Sequence, residues 1–378
     1  MKLRKLLLLL LISIVFISGC SNKEKTKKED KLIKDNEVKV SIFKDSYKDA
    51  SKLVTNMTIE EKIAQLFIVS YDKVYPTWYS DNSPGGYLLF AKDFKDHTKE
   101  EMKEELNNAN MKSKYPLVFA ADEEGGYVTR VSRFTEYRNE KFNSPKYYYD
   151  NGGYSLLEST EREKAKLLKS IGINLNLAPV ADISTNPDDF IYIRTLGRNA
   201  NETSEIIKKM VEYANSEKIS SCLKHFPGYG NNSDTHTGVA IDERSYEVFQ
   251  NNDYLPFKKG IEAQVPCILV SHNIVKAIDP DYPSSLSSKV IYELREKLGY
   301  TGIIITDDLA MDAVKSYVEN GNAATMAINA GNDMIITSDF KTMYEEVLNS
   351  YKEGIIKEET INKAVLRIMA WKYNYDLF

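Results

Sequence analysis

The side chains with chemistry to offer gather at a few points along this chain. Asp122-Glu123-Glu124-Gly125-Gly126, Lys224-His225-Phe226-Pro227-Gly228, Ser271-His272-Asn273 and Thr306-Asp307-Asp308 each close a short apolar run, and Asp234 and His236 follow a few residues after the second group. The chain has four histidines; His225, His236 and His272 belong to these groups, and only His97 stands elsewhere, before a helix-like stretch. Imidazole exchanges a proton near neutral pH without much tuning, and carboxylates supply nucleophiles, bases and ligand contacts. A lone histidine is more often structural than catalytic, but three of them beside aspartates indicate a site for proton-transfer chemistry.

The elements that must position these groups alternate. Apolar or β-branched runs predict strands at Gln65 to Ser70, Gly86 to Phe90, Leu117 to Asp122, Asn174 to Asp182, Ser221 to Pro227, Cys267 to Asn273, Gly302 to Asp307 and Asp333 to Ser338. Amphipathic stretches predict helices at Thr98 to Met111, Ser159 to Ser170, Thr203 to Lys218, Pro256 to Ala263, Ser288 to Leu298, Met311 to Ala330 with a break at Asn320-Gly321-Asn322, Lys341 to Tyr351 and Glu358 to Tyr373. The crossover from Asp72 to Pro84 is Pro-rich and does not read as a full helix. Eight strand-then-helix units predict an α/β fold, a (β/α)8 TIM-type barrel, over a doubly wound open sheet, which would want a Gly-rich turn after its first strand. In such a barrel a ligand meets the carboxyl ends of the strands, where the polar groups fall. Thr58-Ile59-Glu60-Glu61 has the spacing of a capping box and opens a helix leading into the first strand.

The N-terminus reads as an export signal. Met1-Lys2-Leu3-Arg4-Lys5 precedes an apolar run from Leu6 to Ile17, too short to cross a bilayer of about 30 Å, and Ile17-Ser18-Gly19-Cys20 resembles a bacterial lipobox. The expected organisation is a lipoprotein signal at 1–19, a lipidated Cys20 with a flexible charged tether over 20–37, and a catalytic barrel over 38–378, exported and anchored at the outer face of the bacterial cell membrane. The polar segment after Cys20 has no apolar periodicity to bury. Cys222 and Cys267 are too few for a disulfide framework and read as small buried hydrophobes. A net charge of −5 with no basic block in the folded part gives no sign of nucleic-acid binding. The 25 tyrosines hint only weakly at sugar stacking.

Lys224-His225-Phe226-Pro227-Gly228-Tyr229-Gly230 followed by Asp234-Thr235-His236 resembles the K-H-F-P-G-H-G…D-x-H signature of glycoside hydrolase family 3, in its β-N-acetylglucosaminidase branch. The resemblance covers the whole barrel, through Met57 to Ile63, Gly85 to Phe90, Asp122 to Gly126, Asn176 to Asp182, Arg194 to Gly197, Pro283 to Ser287 and Gly302 to Met311. It implies a retaining β-N-acetylhexosaminidase with no cofactor and no metal, acting on an N-acetylglucosamine-containing glycan; the expected export makes cell-wall muropeptides the natural substrate, while chitin fragments or host glycans suit the same site. Asp307 is then the nucleophile, and His236 supported by Asp234 the acid/base. Asp122, Arg130, Arg194, Lys224 and His225 hold the hydroxyls and acetamido group of the non-reducing sugar, with His272 and Asn273 behind them.

The residues fit these roles. Retention needs an attacking carboxylate and a group that first gives and then takes a proton. Asp307 ends a rigid apolar strand, and its neighbour Asp308 is free to cap the next helix. A carboxylate two residues from an imidazole can fix its tautomer, and the Gly- and Asn-rich Tyr229 to Ser233 predicts a loop that swings in on sugar binding. Tyr229, Glu123 and Tyr127 stand where the family has histidine, glutamine and arginine, a difference expected to act on the aglycone rather than on the reaction. The chain has no stretch for the sandwich domain that many members carry, so the catalytic groups are expected from the barrel alone. Competing readings are a metal-dependent hydrolase, disfavoured because Phe67-Ile68-Val69-Ser70-Tyr71 has no histidine, a non-catalytic sugar-binding lipoprotein, a phosphorylase, and another family 3 β-glycosidase specificity. Nothing in the sequence sets the oligomeric state.

Overall fold

The structure, a computed structural model, describes residues 40–71, 82–230, 240–311, 314, 317–318 and 322–378. The signal, Cys20, the whole tether over 20–37 and the Asp234/His236 pair lie outside the described residues. Within them, eight parallel strands close into a barrel: β1 (Phe67–Ser70), β2 (Gly86–Leu89), β3 (Val118–Ala121), β4 (Leu175–Asn176), β5 (Ser220–Phe226), β6 (Cys267–Val270), β7 (Ile303–Asp308) and β8 (Met334–Thr337). Each pairs with its sequence neighbours, and β1 closes on β8 through Phe67 against Ile335 and Ile68 against Ile336. Covered by side chains inside and helices outside, β2, β3, β5, β6 and β8 are buried along their whole length, as parallel strands without solvent faces must be. The expected barrel is the observed one.

The fourth strand is shorter than its apolar run suggested. Only Leu175–Asn176 pair as a strand, because Pro179 has no N–H to contribute and only a single bridge from Val180 to Lys224 follows. Side-chain amides replace part of the ladder: Asn174 Oδ1 accepts from Phe119 N at 2.9 Å, and Asn176 Oδ1 from Glu123 N at 3.0 Å. The helix expected from Ser159 starts earlier, at Pro145, capped by Ser144 and broken at Gly153, whose φ of 59° only glycine adopts readily. The stretch Ser288 to Leu298 is α-helical to Tyr292 and then widens into a π-turn at Glu293–Lys297. Of Met311 to Ala330, the described helix is Ala323–Ala330, ended by left-handed Gly331. Features that escaped the sequence include the helix Tyr47–Thr55, the short helix Ala91–Phe94, the helical stretch Tyr246–Asp253, and a parallel two-residue ribbon pairing Ile241–Asp242 with Ile274–Val275. The capping box is present, with Thr58 Oγ1 accepting from Glu61 N at 3.2 Å and Glu61 Oε2 from Thr58 N at 3.0 Å.

The helix Glu358–Asn374 closes the amino-terminal end of the barrel. Arg367 pairs with Asp333 ahead of β8, Trp371 Nε1 donates to Ser220 Oγ at 2.9 Å, and Lys372 reaches three acceptors. Its amine donates to Gln65 Oε1 at 2.8 Å, Gly85 O at 2.9 Å and Pro116 O at 2.6 Å, tying together the entries to β1, β2 and β3. Burial pushes this amine down to about 7. With this end closed, the carboxyl end of the strands is the one open to a ligand. Cys222 and Cys267 are free, buried partners across β5 and β6, as expected of small hydrophobes, and burial raises the Cys267 thiol well above its ordinary value.

Candidate active site

Two register shifts lie within the paired strands, and both fall on strands that carry candidate site residues. From Leu223 to Phe226 on β5 the chain spends three steps where β6 spends two, from Ile268 to Val270, so an extra residue is accommodated at Lys224–His225. From Ile305 to Asp308 on β7 it again spends three against two on β8, Met334 to Ile336, placing the extra residue at Thr306–Asp307. Such irregularities break the strict alternation of a strand and re-aim side chains. The peptide between Lys224 and His225 is cis, as are those before Pro179 and Pro227.

Asp122 and Glu124 follow β3, and Lys224 lies between them. Its amine is 2.8 Å from Asp122 Oδ1 and 2.6 Å from Glu124 Oε1, all three being buried or nearly so. Arg194, from the loop after β4, grips Glu124 with Nε at 3.0 Å and Nη2 at 2.7 Å, and Arg130 Nη2 lies 3.3 Å from Asp122 Oδ2. Burial alone would raise the Asp122 and Glu124 carboxyls; the facing cations outweigh it, Lys224 first, then Arg130 for Asp122 and Arg194 for Glu124, and hold both below their ordinary values. Burial pulls the Lys224 amine down, but Asp122 and Glu124 hold it up and charged. Arg130 Nε is buried with no acceptor among the described residues.

His225 is oriented from behind. Its Nδ1 is 2.7 Å from Asp182 Oδ2, and because a carboxylate only accepts, Nδ1 carries the proton. Nε2 then accepts from Arg194 Nη2 at 3.3 Å, which makes the ring neutral. The same Asp182 accepts from His225 N at 3.1 Å and Tyr229 N at 2.7 Å, so one buried carboxylate holds the whole turn after β5. Three carboxylates, Asp122, Glu124 and Asp182, face three cations, Arg130, Lys224 and Arg194, and with His225 neutral the formal charge of the cluster balances.

At the end of β7, Asp307 Oδ1 accepts from Asp308 N at 2.9 Å, while Asp308 Oδ1 accepts from Ala310 N at 2.9 Å. Asp308 thus closes the turn that follows β7; the next described helix is Ala323–Ala330. Fully buried His272 secures the same turn, with Nε2 donating to Asp308 O at 3.0 Å and Nδ1 2.7 Å from Ser285 Oγ. Asn273 is also fully buried and bonded to Ser271 and Ser284, so both residues support the site from beneath. The described ends of the loop carrying Asp234 and His236 are held as well. Arg244 bonds Asp242, Asp253 and Gly228 O, and a side chain on Gly228 would put its Cβ 2.4 Å from Asp253 Oδ1, which leaves glycine as the residue that fits.

Asp122, Arg130, Arg194, Lys224 and His225 therefore meet in one cluster, with Asp307 at the same end of the barrel: Val270 of β6 pairs with both Phe226 and Thr306. Glu124 and Asp182 belong to the motifs named above, but the sequence alone assigns them no task. Glu124 could have been found, since a residue two positions beyond Asp122 in extended chain faces the same way. Glu123, the departure from the family pattern, is fully buried and turned away; it accepts from Arg130 N at 2.8 Å, Val131 N at 2.7 Å, Ser132 N at 3.3 Å and the Ser132 hydroxyl, fixing the loop that carries Arg130. Tyr127 is exposed, and Tyr229 is buried against His225. Among the described residues, no group of three His, Cys, Asp or Glu is arranged to hold a metal ion, and no helix is long and apolar enough to cross a membrane.

Comparison with known proteins places these observations. A β-hexosaminidase of Nitrosomonas eutropha is 30% identical over 278 residues, 70% of this chain and 77% of that protein. A glycoside hydrolase family 3 β-N-acetylglucosaminidase from Paenibacillus sp. FPU-7 superposes with a TM-score of 0.78 at 24% identity, covering 85% of this chain, which spans 63% of that structure. A β-N-acetylhexosaminidase from Beutenbergia cavernae superposes with a TM-score of 0.73 at 23% identity over 84% of this chain and 99% of the other. These two likenesses bear on the fold. The model of the glycosyl hydrolase family 3 N-terminal domain matches residues 58–371, from the capping box ahead of β1 into the helix that closes the barrel, and the chain belongs to that family of glycoside hydrolases.

Proposed function

We propose that this protein is a retaining β-N-acetylhexosaminidase that releases terminal non-reducing N-acetylglucosamine, with Asp307 as nucleophile and His236, oriented by Asp234, as acid/base. The carrying observation is the charge-balanced cluster of Asp122, Glu124, Asp182, Lys224, Arg130, Arg194 and His225 at the end of the barrel where β7 delivers Asp307. Fixed carboxylates and guanidinium groups form charge-assisted hydrogen bonds to paired hydroxyls and hold a sugar ring in one register. Their balanced charge suits a neutral glycoside.

In the proposed sequence, Asp307 attacks the anomeric carbon while His236, protonated, gives its proton to the departing oxygen; the glycosidic bond breaks as the Asp307 ester forms. Neutral His236 then takes a proton from water, whose oxygen attacks the anomeric carbon and frees the Asp307 carboxylate. The 30% identity to a β-hexosaminidase supports the choice of sugar. The apolar N-terminal run ending at Cys20 supports export and anchoring at the outer face of the cell membrane, where muropeptides of the cell wall would be the substrate at hand.

The test is release of N-acetylglucosamine from muropeptides and chitobiose, followed by mass spectrometry, with Asp307→Ala alongside. The expected result is release by the parent and a fall of at least about a thousandfold in the variant. A fluorosugar trap should add its mass to the peptide containing Asp307; label on another side chain, or an active Asp307→Ala, would overturn the assignment. Loss of palmitate labelling in Cys20→Ala tests the anchor.

A further inference from the structure

The pairing of β6 with β7 stops one residue short of Asp307. Its last partners are Val270 and Thr306, so Asp307 and Asp308 lie beyond the β6 ladder. On the other flank β7 regains register with β8 only at Asp308, after the extra residue. The carboxylate proposed as nucleophile thus stands where neither neighbouring strand offers a regular ladder.

A side chain takes over where the ladder ends. His272 stands two residues beyond Val270, as Asp308 stands two beyond Thr306, and its Nε2 lies 3.0 Å from Asp308 O. A carbonyl only accepts, so Nε2 carries the proton. In the neutral ring, Nδ1 accepts from the Ser285 hydroxyl at 2.7 Å. Ser285 is itself fixed: its N–H donates to Ser271 O at 3.0 Å, and its carbonyl accepts from Asn332 Nδ2 at 2.8 Å. Asn332 Nδ2 donates to Ala327 O as well, at 2.7 Å, which joins these bonds to the helix ahead of β8. His272, Ser285 and Asn332 are all buried. At the other end Asp308 N donates to Asp307 Oδ1 at 2.9 Å, so the residue that His272 holds is the one that orients the carboxylate of Asp307.

We infer that His272 is a positioning residue for Asp307, with Ser285 setting its tautomer and ring plane, and that it acts on the bond-forming step and not on the grip of the sugar. The inference rests on the reading of Asp307 as nucleophile. Met311 N shares the Asp308 carbonyl at 3.0 Å, but it belongs to the same turn and moves with it, whereas His272 reaches across from β6. If the Asp308 residue rotated, its N–H would leave Asp307 Oδ1 and the carboxylate could turn. A displacement of about 1 Å in a reacting group can cost a hundredfold in rate. The charged cluster that holds the sugar is built on the loops after β3 and β4 and on β5, whereas these bonds run from the β8 side through the loop after β6 to β7.

The test uses p-nitrophenyl β-N-acetylglucosaminide, whose kcat/KM reports the attack, beside the Kd of N-acetylglucosamine, which reports the grip on the sugar. Ser285→Ala removes one hydroxyl and leaves the imidazole in place; kcat/KM should fall roughly threefold to tenfold, with Kd within about twofold of the parent's. His272→Phe should lose roughly tenfold to a hundredfold, and His272→Gln, whose amide can donate to the same carbonyl, should recover part of that loss. Labelling by a fluorosugar trap, per folded molecule, should slow in the same order. An unmoved kcat/KM per folded molecule in Ser285→Ala, even with a lower melting temperature, makes the contact merely structural and overturns the inference. A Kd that weakens as much as kcat/KM falls overturns it too, and both outcomes leave Asp307 its role. A trap that labels a different carboxylate in the parent overturns the reading of Asp307 and this inference with it.

Discussion

Replacing Lys224 with methionine isolates the physics of the charged cluster, because methionine keeps most of the side-chain volume and removes only the amine. Asp122 and Glu124 then each lose a buried partner, at 2.8 and 2.6 Å. Removing one member of a buried pair costs about 3–5 kcal/mol, since a desolvated charge is left behind. Arg130 and Arg194 stay beside the two carboxylates, which argues for the lower end, about 3 kcal/mol, or a melting temperature lower by roughly 6 °C. The pH dependence is the sharper signature. In the parent, Asp122 and Glu124 are held below their ordinary values, so they contribute stability above the unfolded carboxylate values of about 4 and lose it as pH falls through the folded ones. Without Lys224 burial is less opposed and both carboxyls rise, so on acidification from neutrality the variant binds protons before the parent does. The stability gap should therefore narrow as pH falls, by up to about 1.4 kcal/mol per unit for each proton taken up early. Urea denaturation of both proteins at pH 7, 5.5 and 4.5 reads it directly. A gap below about 1 kcal/mol at pH 7, or one that does not change with pH, would refute the claim that electrostatics holds this cluster together.

Two further outcomes follow from the supporting residues. Glu123→Ala leaves three backbone N–H groups and the Ser132 hydroxyl without their acceptor, so it should cost about 2–4 kcal/mol in denaturation and raise KM through a loosened Arg130, whereas Glu123→Gln, keeping one oxygen, should lose less of both. Lys372, pushed down to about 7 by burial, binds fewer protons folded than unfolded between that value and about 10.4. Stability of the parent relative to Lys372→Met should thus climb with pH by about 1.4 kcal/mol per unit above 7, and a flat difference between pH 7 and 9 would contradict it.

What the sequence made legible depends on how each feature is encoded. Ile303-Ile304-Ile305 and Cys267-Ile268-Leu269-Val270 are buried on both faces, and continuous apolar runs of that length between polar helices are what a parallel barrel strand requires. The ends of those runs carried the site residues in plain view. Short or mixed features were not legible. The helix Tyr47–Thr55 buries Tyr47, Ala50, Ser51 and Val54, a stripe in which two small residues mute the apolar signal. The ribbon of Ile241–Asp242 and Ile274–Val275 is two residues long on each side, too short for any period. Asp182 gave no hint of its three bonds to His225 and Tyr229, because those partners are more than forty residues away in the chain and meet it only when β4 and β5 lie side by side.

The register shifts are the part of the site that residue types could not announce, and they bear on why these side chains converge. An uninterrupted strand would point Lys224 and His225 to opposite sides, as it would Asp307 and Asp308. The extra residue in β5 lets Lys224 reach Asp122 and Glu124 while its neighbour His225 meets Arg194 of the same cluster. The extra residue in β7 separates the tasks of two adjacent carboxylates: Asp308 Oδ1 accepts from Ala310 N and its carbonyl accepts from His272, so the residue following Asp307 is held by two bonds. Register irregularities cost ladder bonds; beyond β4 the chain also spends four steps, Asn176 to Val180, against three on β5, Ser221 to Lys224, while the remaining strand pairs run in register. The irregularities fall towards the carboxyl ends of β4, β5 and β7, the end of the barrel where the charged cluster and Asp307 lie, as expected where side chains are re-aimed out of strict alternation.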